Sequence, residues 1–199
     1  MVSLVFVFDM LQLNYMKRCF VAINLPNNIK DEFELIQADL GQRNKQLVAS
    51  WVDKEIAHIN LHFLGDLTES EVQIVRNALK AVVGKFGQIS LSLTGIGAFP
   101  SKNNPRVLFL GVREKDGTKM VNLQRELGVI LKKESFDVNE RPFIAHVTIC
   151  RIKNFVAGKL DFVGEEMADT EFQIDSFELM ESLLTPAGPE YKMIESYRI

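Results

Sequence analysis

The chain has 199 residues, of which 47% are hydrophobic and 25% are charged, and its formal net charge is -3. These values are typical of a globular protein that is long enough to bury a sizeable core. The net charge argues against a long nonspecific nucleic-acid track, because such a track needs a strongly basic surface. It leaves room for a small pocket that takes one phosphate or one RNA end.

The N-terminal segment and the two cysteines indicate the cellular compartment in which the protein is expected. Cys19 and Cys150 lie in apolar, strand-like segments and are too few for a disulfide framework. The chain begins with a short apolar run, MVSLVFVF, which falls far below the roughly 20 residues that span a bilayer. No signal-peptide pattern surrounds this run. We therefore expect free thiols, no membrane span and a cytoplasmic location.

The remaining elements are predicted from hydrophobic periodicity. In chain order they are a strand at 18–25, a helix at 29–41, a short strand at 51–52, a strand at 57–64, a helix from 69 to about 86, strands at 89–93 and 107–112, a helix at 117–133, a strand at 143–152, and final strands at 171–184 and 190–198. This order lacks strict βαβ alternation and favours the α+β class.

Several boundaries carry local signals. Asn27 and Asn28 follow Pro26 and are expected to cap the first helix. Thr68 and Glu71 have the spacing of a capping box. Polar loops are expected at 100–105 and 155–169. Met16 directly precedes the first strand. We expect residues 1–15 to be an extension, either disordered, mis-assigned or an extra edge strand, and residues 16–199 to form one bilobal domain.

Two tetrads of the same pattern carry the chemistry, His-Ile-Asn-Leu at 58–61 and His-Val-Thr-Ile at 146–149. Their alternation predicts half-buried strands, on which residues i and i+2 share a face. His58 would lie beside Asn60, and His146 beside Thr148. If the two strands are neighbours, two imidazoles and two hydrogen-bond donors face one cleft. This arrangement suits acid–base chemistry on a phosphate ester.

The third histidine, His62, would share a face with His58 on a regular strand. Four residues of strand span about 13 Å, whereas zinc–nitrogen bonds are about 2 Å long. The two histidines are therefore too far apart to bind one metal. We expect no metal site and no cofactor, and interpret His62 as a rim residue that contacts RNA.

With both tetrads in view, the chain resembles the two-histidine (2H) phosphoesterases, and among them the RNA 2′,3′-cyclic phosphodiesterases, also called 2′-5′ RNA ligases. That family carries the HxTx motif, His-x-Thr/Ser-x, twice. The resemblance covers residues 16–199 and includes flanking segments at 18–23, 51–52, 62–65, 99–100, 105–107, 142–145, 150–151 and 184–191. It implies two similar lobes whose antiparallel sheets line a central cleft, with helices outside.

The resemblance also implies roles for individual residues. His58 would be the general acid for the 3′ oxygen, and His146 the general base for water, although the near-symmetric tetrads themselves do not distinguish acid from base. The phosphate would be bound by Asn60, Thr148 and Arg151, and the nucleobase by Phe63. Arg151 and Phe63 each lie five residues after their histidine, where strand parity places them on the opposite face. A bulge, or a strand end that lets the side chain turn inward, must therefore intervene. The alternative for Phe63 is core packing.

The resemblance implies metal-independent hydrolysis of RNA 2′,3′-cyclic phosphate ends to 2′-phosphates, with reversal as 2′-5′ ligation. The substrate would be an RNA 3′ end, with tRNA halves as one candidate, and we expect a monomer. Asn60 departs from the family, which usually has Thr or Ser at this position. An amide still donates hydrogen bonds. Two alternatives stay open, a non-catalytic RNA-end or nucleotide-binding module and a phosphodiesterase for a small cyclic nucleotide.

Overall fold

A computed structural model describes residues 16–115, 117–155, 160–161, 170–186 and 188–199. The extension predicted at 1–15 lies outside the described residues, as does most of the loop predicted at 155–169. The described residues form nine strands and three α-helices. The strands are β1 (Lys17–Asn24), β2 (Leu47–Trp51), β3 (His58–Leu67), β4 (Ile89–Ser101), β5 (Asn104–Glu114), β6 (His146–Phe155), β7 (Thr170–Ile174), β8 (Ser176–Thr185) and β9 (Gly188–Arg198). The helices are α1 (Asn27–Arg43), α2 (Glu69–Leu79) and α3 (Lys119–Lys133).

The strands form one curled antiparallel sheet in the order β7-β4-β5-β6-β3-β1-β8-β9, with β2 paired alongside β6. The two predicted lobes correspond to the halves β7-β4-β5-β6 and β3-β1-β8-β9. Their sheets are continuous because Ile59 of β3 pairs with Val147 of β6. In two separate sheets, β3 and β6 would both be edge strands with unpaired backbone groups. Their pairing gives each of these edges a backbone partner.

The helices cover one face of the curled sheet. The opposite face, which carries Phe20 and Ala22 of β1, is called the concave face and contains the candidate site. On β1, Cys19, Val21 and Ile23 belong to the main core, together with apolar side chains of all three helices. The alternate residues Phe20 and Ala22 form a separate small cluster on the other face. This division follows from the period-2 alternation of side chains along a strand.

The sequence predicted caps at the N-termini of two of the three helices, and one of these predictions is confirmed. Thr68 and Glu71 make the reciprocal capping box at the start of α2. The cap predicted at Asn27 and Asn28 is wrong, since both residues lie within the first turn of α1. The carbonyl of Pro26 already accepts hydrogen bonds from the backbone N–H groups of Ile29 and Lys30, both at 3.0 Å, so the helix begins before the asparagines can cap it.

Three other boundaries differ from the predictions. Helix α2 ends at Leu79 and continues as a 3-10 turn to Val82, after which Gly84 adopts a φ of 74° that ends the helical path. The loop predicted at 100–105 is wrong, because β4 and β5 pair as a hairpin up to Ser101 and Asn104. The strand predicted at 171–184 is two strands in different halves, since β7 pairs with β4 and β8 pairs with β1.

Candidate active site

His58 and His146 are the first residues of β3 and β6, the two strands that join the halves of the sheet. The antiparallel pair Ile59–Val147 sets their register. This register aligns His58 with Thr148 and Asn60 with His146 across the junction. Each histidine therefore faces the hydrogen-bonding residue of the opposite tetrad.

The two imidazoles are held in the same way. Nδ1 of His58 lies 2.8 Å from the carbonyl oxygen of Ile56, and Nδ1 of His146 lies 2.7 Å from that of Ile144. A carbonyl oxygen only accepts, so Nδ1 carries the hydrogen and donates it in both rings. Nε2 is then the nitrogen available for proton transfer in each histidine.

Each histidine is also flanked by two aromatic rings, which the sequence did not predict as site residues. The ring centroid of His58 lies 5.0 Å from that of Phe20 and 5.2 Å from that of Tyr191. That of His146 lies 5.1 Å from Phe99 and 5.3 Å from Phe109. Three of these aromatics lie in the family-like flanking segments, and this was the available signal. Which histidine each would contact depends on strand order, which the sequence alone does not provide.

The expected bulges are present, and they occur at equivalent positions. In the β1–β3 register, Ala22 pairs with Asn60 and Val21 with His62, so Leu61 is an extra residue. The next pair joins Phe20 to Phe63. Because Phe20 contacts His58, Phe63 lies on the concave face. This side chain is 47% exposed, so it does not take the alternative role of core packing.

The bulge on β6 follows the same rule. Phe109 pairs with Thr148 and Leu108 with Cys150, so Ile149 is the extra residue and Arg151 is brought onto the face of His146. The carbonyl of Ile149 accepts hydrogen bonds from the backbone N–H of Val52 and from Nε2 of Gln37, both at 3.0 Å. These bonds satisfy the polar group that a bulge would otherwise leave unpaired.

The interpretation of His62 as a rim residue of the cleft is wrong. Its side chain is buried on the helix side of the sheet, where Nε2 donates to the carbonyl of Gln124 on α3 at 2.7 Å. The extra residue Leu61 reverses the strand parity between His58 and His62. His62 therefore packs between β3 and α3 and is not a rim residue of the cleft.

A family model described as LigT like phosphoesterase matches residues 23–109 and 111–191. Each matched segment contains one of the two histidine tetrads.

The chain belongs to the LigT-like phosphoesterase family. An RNA 2′,3′-cyclic phosphodiesterase of Aquifex aeolicus is 31% identical over 185 residues, which cover 90% of this chain and 96% of that protein. A protein of the same name from Thermotoga maritima is 32% identical over 183 residues, which cover 89% of this chain and 92% of that protein.

Two crystal structures match the fold of this LigT-like phosphoesterase. A protein of Thermus thermophilus matches with a TM-score of 0.78 at 23% identity, covering 91% of this chain and 97% of that chain. E. coli LigT in complex with 3′-AMP matches with a TM-score of 0.76 at 20% identity, covering 92% and 98%. The predicted α+β fold is confirmed by these matches.

Within this LigT-like phosphoesterase, the electrostatics favour neutral imidazole at His58. Burial lowers the pKa of His58, and the nearby His146 and Arg151 lower it further, while the hydrogen bond to the carbonyl of Ile56 opposes them. Burial raises the pKa of the Tyr191 phenol, against the opposing effect of Arg151 and Arg18. Two guanidinium groups from different halves of the sheet thus act on the ring that contacts His58.

A buried carboxyl group supports the concave face behind His58. Glu178 accepts hydrogen bonds from the backbone N–H of Asn24 at 3.2 Å and from the hydroxyls of Ser176 at 2.7 Å and Ser196 at 3.2 Å. Asn24 pairs with His58 at the end of the β1–β3 ladder. Burial raises the pKa of Glu178, and these three donors oppose the rise.

The other expected features concern metals and membranes. Among the residues that the structure describes, no group of three or more His, Cys, Asp or Glu side chains is placed to hold a metal ion. No helix in the same part of the chain has the length and apolar character to cross a membrane. Cys19 and Cys150 are free and buried.

Proposed function

We propose that this protein hydrolyses RNA 2′,3′-cyclic phosphate ends to 2′-phosphates without a metal ion, with residues 16–199 as one catalytic domain. The observation that carries the proposal is the matched pair of histidines. Each holds Nδ1–H on a backbone carbonyl and leaves Nε2 free, at the junction of the two half-sheets. The curated relatives that cover most of the chain bear the name of this activity.

The reaction needs one proton acceptor and one proton donor. Nε2 of His146 accepts a proton from water as the water oxygen attacks phosphorus. The bond from phosphorus to the 3′ oxygen breaks, and Nε2–H of His58 protonates that oxygen. The product has a 2′-phosphate and a free 3′-hydroxyl. The anionic substrate opposes the effect of His146 and Arg151 on the pKa of His58, and so favours the imidazolium that this role requires.

The phosphate is proposed to be held by Asn60, Thr148 and Arg151. The junction register aligns both small donors with the histidines, and donors placed in advance around a developing charge are often the largest catalytic term. The planar guanidinium of Arg151 matches two phosphate oxygens at once. Phe63, exposed on the concave face, is proposed to stack on the terminal nucleobase.

Finer aspects of the proposal follow from the same chemistry. E. coli LigT, whose fold this chain shares, has been crystallised with 3′-AMP, which supports a nucleotide as occupant of the cleft. Attack by a 5′-hydroxyl in place of water, with the same loss of the 3′ oxygen from phosphorus, would give a 2′-5′ linkage. This reversible ligation is proposed as a second activity, with tRNA halves as candidate substrates. The buried free thiols are compatible with the reducing cytoplasm as the location, and a monomer is proposed.

The test is product analysis with a short RNA that ends in a 2′,3′-cyclic phosphate, incubated with the protein in EDTA. We expect conversion to the 2′-phosphate, and loss of conversion in His58→Ala and in His146→Ala. His62→Gln is the matched control, because an amide can still donate to the carbonyl of Gln124 and His62 lies outside the cleft. Thermal unfolding of each variant shows that the fold is retained.

Two outcomes would contradict the proposal. Tight binding of the RNA end without turnover would favour the binding-module alternative and point to Asn60 as its cause. Turnover that persists in both alanine variants would place the chemistry elsewhere.

A further inference from the structure

Arg18 and Phe63 form a cation–π pair on the concave face. The guanidinium carbon of Arg18 lies 5.0 Å from the centre of the Phe63 ring. Phe63 shares this face with Phe20, its partner in the β1–β3 register. This cation–π contact uses the charge of the guanidinium and leaves its N–H donors for other groups. The pair therefore presents an aromatic surface and a set of anion-binding donors side by side.

The charge of Arg18 is not neutralised by the residues that the structure describes. The preceding residue, Lys17, forms an ion pair with Glu69. Arg18 forms no ion pair or hydrogen bond within the described ranges, although Asp66 is its cross-strand partner in β3. An unpaired guanidinium on a concave surface of an acidic protein is available to an anionic ligand.

Arg18 and Arg151, the second arginine of the cleft, both lie on the concave face, on which the two histidines also lie. Arg18 on β1 is aligned with Tyr191 on β9, because Arg18 pairs with Ser182 of β8 and Ser182 pairs with Tyr191. Arg151 on β6 lies on the face of His146. Tyr191 in turn contacts His58. Two guanidinium groups on the same face of the sheet repel each other, and bound anions reduce this repulsion. Arg151 is already proposed to bind the cyclic phosphate, which leaves Arg18 for a second anionic group.

We propose that Arg18, in contact with the Phe63 ring, binds the phosphate carried on the 5′ oxygen of the terminal nucleoside, so that the cleft prefers an RNA chain end to a cyclic nucleoside phosphate. The proposal rests on the proposed function. With the cyclic phosphate at the histidines and the terminal base on Phe63, the next anionic group of an RNA is this phosphate. Arg18 is then a specificity residue for substrate binding and takes no part in proton transfer.

The test compares kcat/KM for three substrates that share one terminal base. They are a 2′,3′-cyclic nucleotide with a free 5′-hydroxyl, the same nucleotide with a 5′-phosphate, and a dinucleotide that ends in the same cyclic nucleotide. We expect the native protein to favour the dinucleotide over the 5′-hydroxyl substrate by about 10-fold or more, the scale of one charge-assisted contact. Arg18→Gln should reduce this ratio to near one. The ratio should also fall as salt is added.

The matched control is Arg125→Gln, which removes the same charge from the exposed side of α3, where Arg125 is bonded to Asn122. It should leave the substrate ratio unchanged. Equal kcat/KM for all three substrates in the native protein would overturn the proposal, as would an Arg18→Gln variant that keeps the native ratio. A preference for the 5′-phosphorylated mononucleotide alone would overturn the assignment to an RNA chain.

Failure of the proposed function is distinguishable from failure of this inference. If the native protein turns over none of the three substrates, the hydrolytic proposal fails, and the Arg18 subsite is then tested by binding. Equilibrium binding of the corresponding 2′-phosphate products replaces kcat/KM. A preference for the dinucleotide product that Arg18→Gln abolishes would support the subsite, and equal binding of the products would overturn it.

Discussion

Leu61 of β3 and Ile149 of β6 are structurally equivalent residues. Each lies three positions after the histidine of its strand and is the extra residue in the register with the neighbouring strand. Each therefore reverses the strand parity at the same distance from its histidine. As a result, the residue five positions after each histidine, Phe63 in one half and Arg151 in the other, returns to the concave face. The two halves of the site use the same backbone device to present different chemistry.

Asn60 provides the first prediction, because it replaces the hydroxyl residue usual in the family. Asn60→Thr should retain activity close to that of the native protein, since either side chain donates a hydrogen bond from the position aligned with His146. Asn60→Ala should lower kcat by about 100-fold, the loss typical of one donor to a developing charge. Steady-state hydrolysis of an RNA 2′,3′-cyclic phosphate measures both variants.

Thr148→Ala is the comparison for Asn60→Ala, because Thr148 is aligned with the other histidine across the same junction. A loss of similar size in both alanine variants would fit two equivalent donors. Native activity in Asn60→Ala would show that the amide does not contact the reacting phosphate.

The pH dependence of kcat/KM can identify the role of His58. This parameter reports the ionisation of the free enzyme. The pKa of His58 is lowered from its ordinary value of 6.5. If His58 is the general acid, activity requires its protonated form and falls as pH rises through this lowered pKa. We therefore expect a descending limb below about pH 6.5.

Arg151→Gln tests this assignment. Removing the positive charge raises the pKa of His58, so the descending limb should move to higher pH, while the overall rate falls because a phosphate contact is lost. Arg125→Gln should leave the profile in place. Movement of the ascending limb alone would show that His58 is the base and would reverse the proposed roles of the two histidines.

Some parts of the site could be predicted from the sequence, and others could not. The tetrads could be placed on strands because alternation over residues 58–61 and 146–149 is regular. The positions of Phe63 and Arg151 predicted either a bulge or an inward turn at the strand end, but they did not decide between the two or locate the bulge. A successive pair such as Ile149 and Cys150 is compatible both with a bulge and with a fully buried strand. The aromatic rings around each histidine come from strands distant in sequence, so only the strand order reveals them.

Gly97 allows one of these rings to reach His146. A Cβ atom at residue 97 would lie 2.2 Å from the Cζ atom of Phe109, whose ring stacks on Phe99 and contacts His146. Gly97→Ala should therefore displace the Phe109 ring, lower kcat and destabilise the fold by about 1 to 3 kcal/mol, the usual cost of overpacking. Thermal or urea unfolding and kcat measure the two effects.

Phe109→Leu should relieve the clash, because the shorter side chain does not reach the position of Cζ. The double variant Gly97→Ala with Phe109→Leu should regain part of the stability that Gly97→Ala loses. Gly41→Ala is the control, since its Cβ would lie 3.8 Å from the Trp51 ring, an ordinary contact on a helix. Additive effects of the two substitutions in the double variant would count against a direct clash.

His62 predicts how stability depends on pH. Burial lowers the pKa of His62 from its ordinary value of 6.5, while the hydrogen bond to the carbonyl of Gln124 opposes the shift. The unfolded chain therefore binds a proton at a higher pH than the folded protein. The stability that neutral His62 provides is present above about pH 6.5 and is lost as the pH falls toward the folded-state pKa. One such proton changes the free energy of unfolding by at most about 1.4 kcal/mol per pH unit.

His62→Gln keeps a donor for the Gln124 carbonyl and removes the titration. Urea unfolding between about pH 5.5 and 7.5 should give a shallower fall in stability for the variant than for the native protein. His58 contributes a slope of the same sign and Glu178 one of the opposite sign, since their pKa values are lowered and raised, but both are common to the two proteins and cancel in the difference. Parallel stability curves would mean that His62 keeps an ordinary pKa in the folded protein.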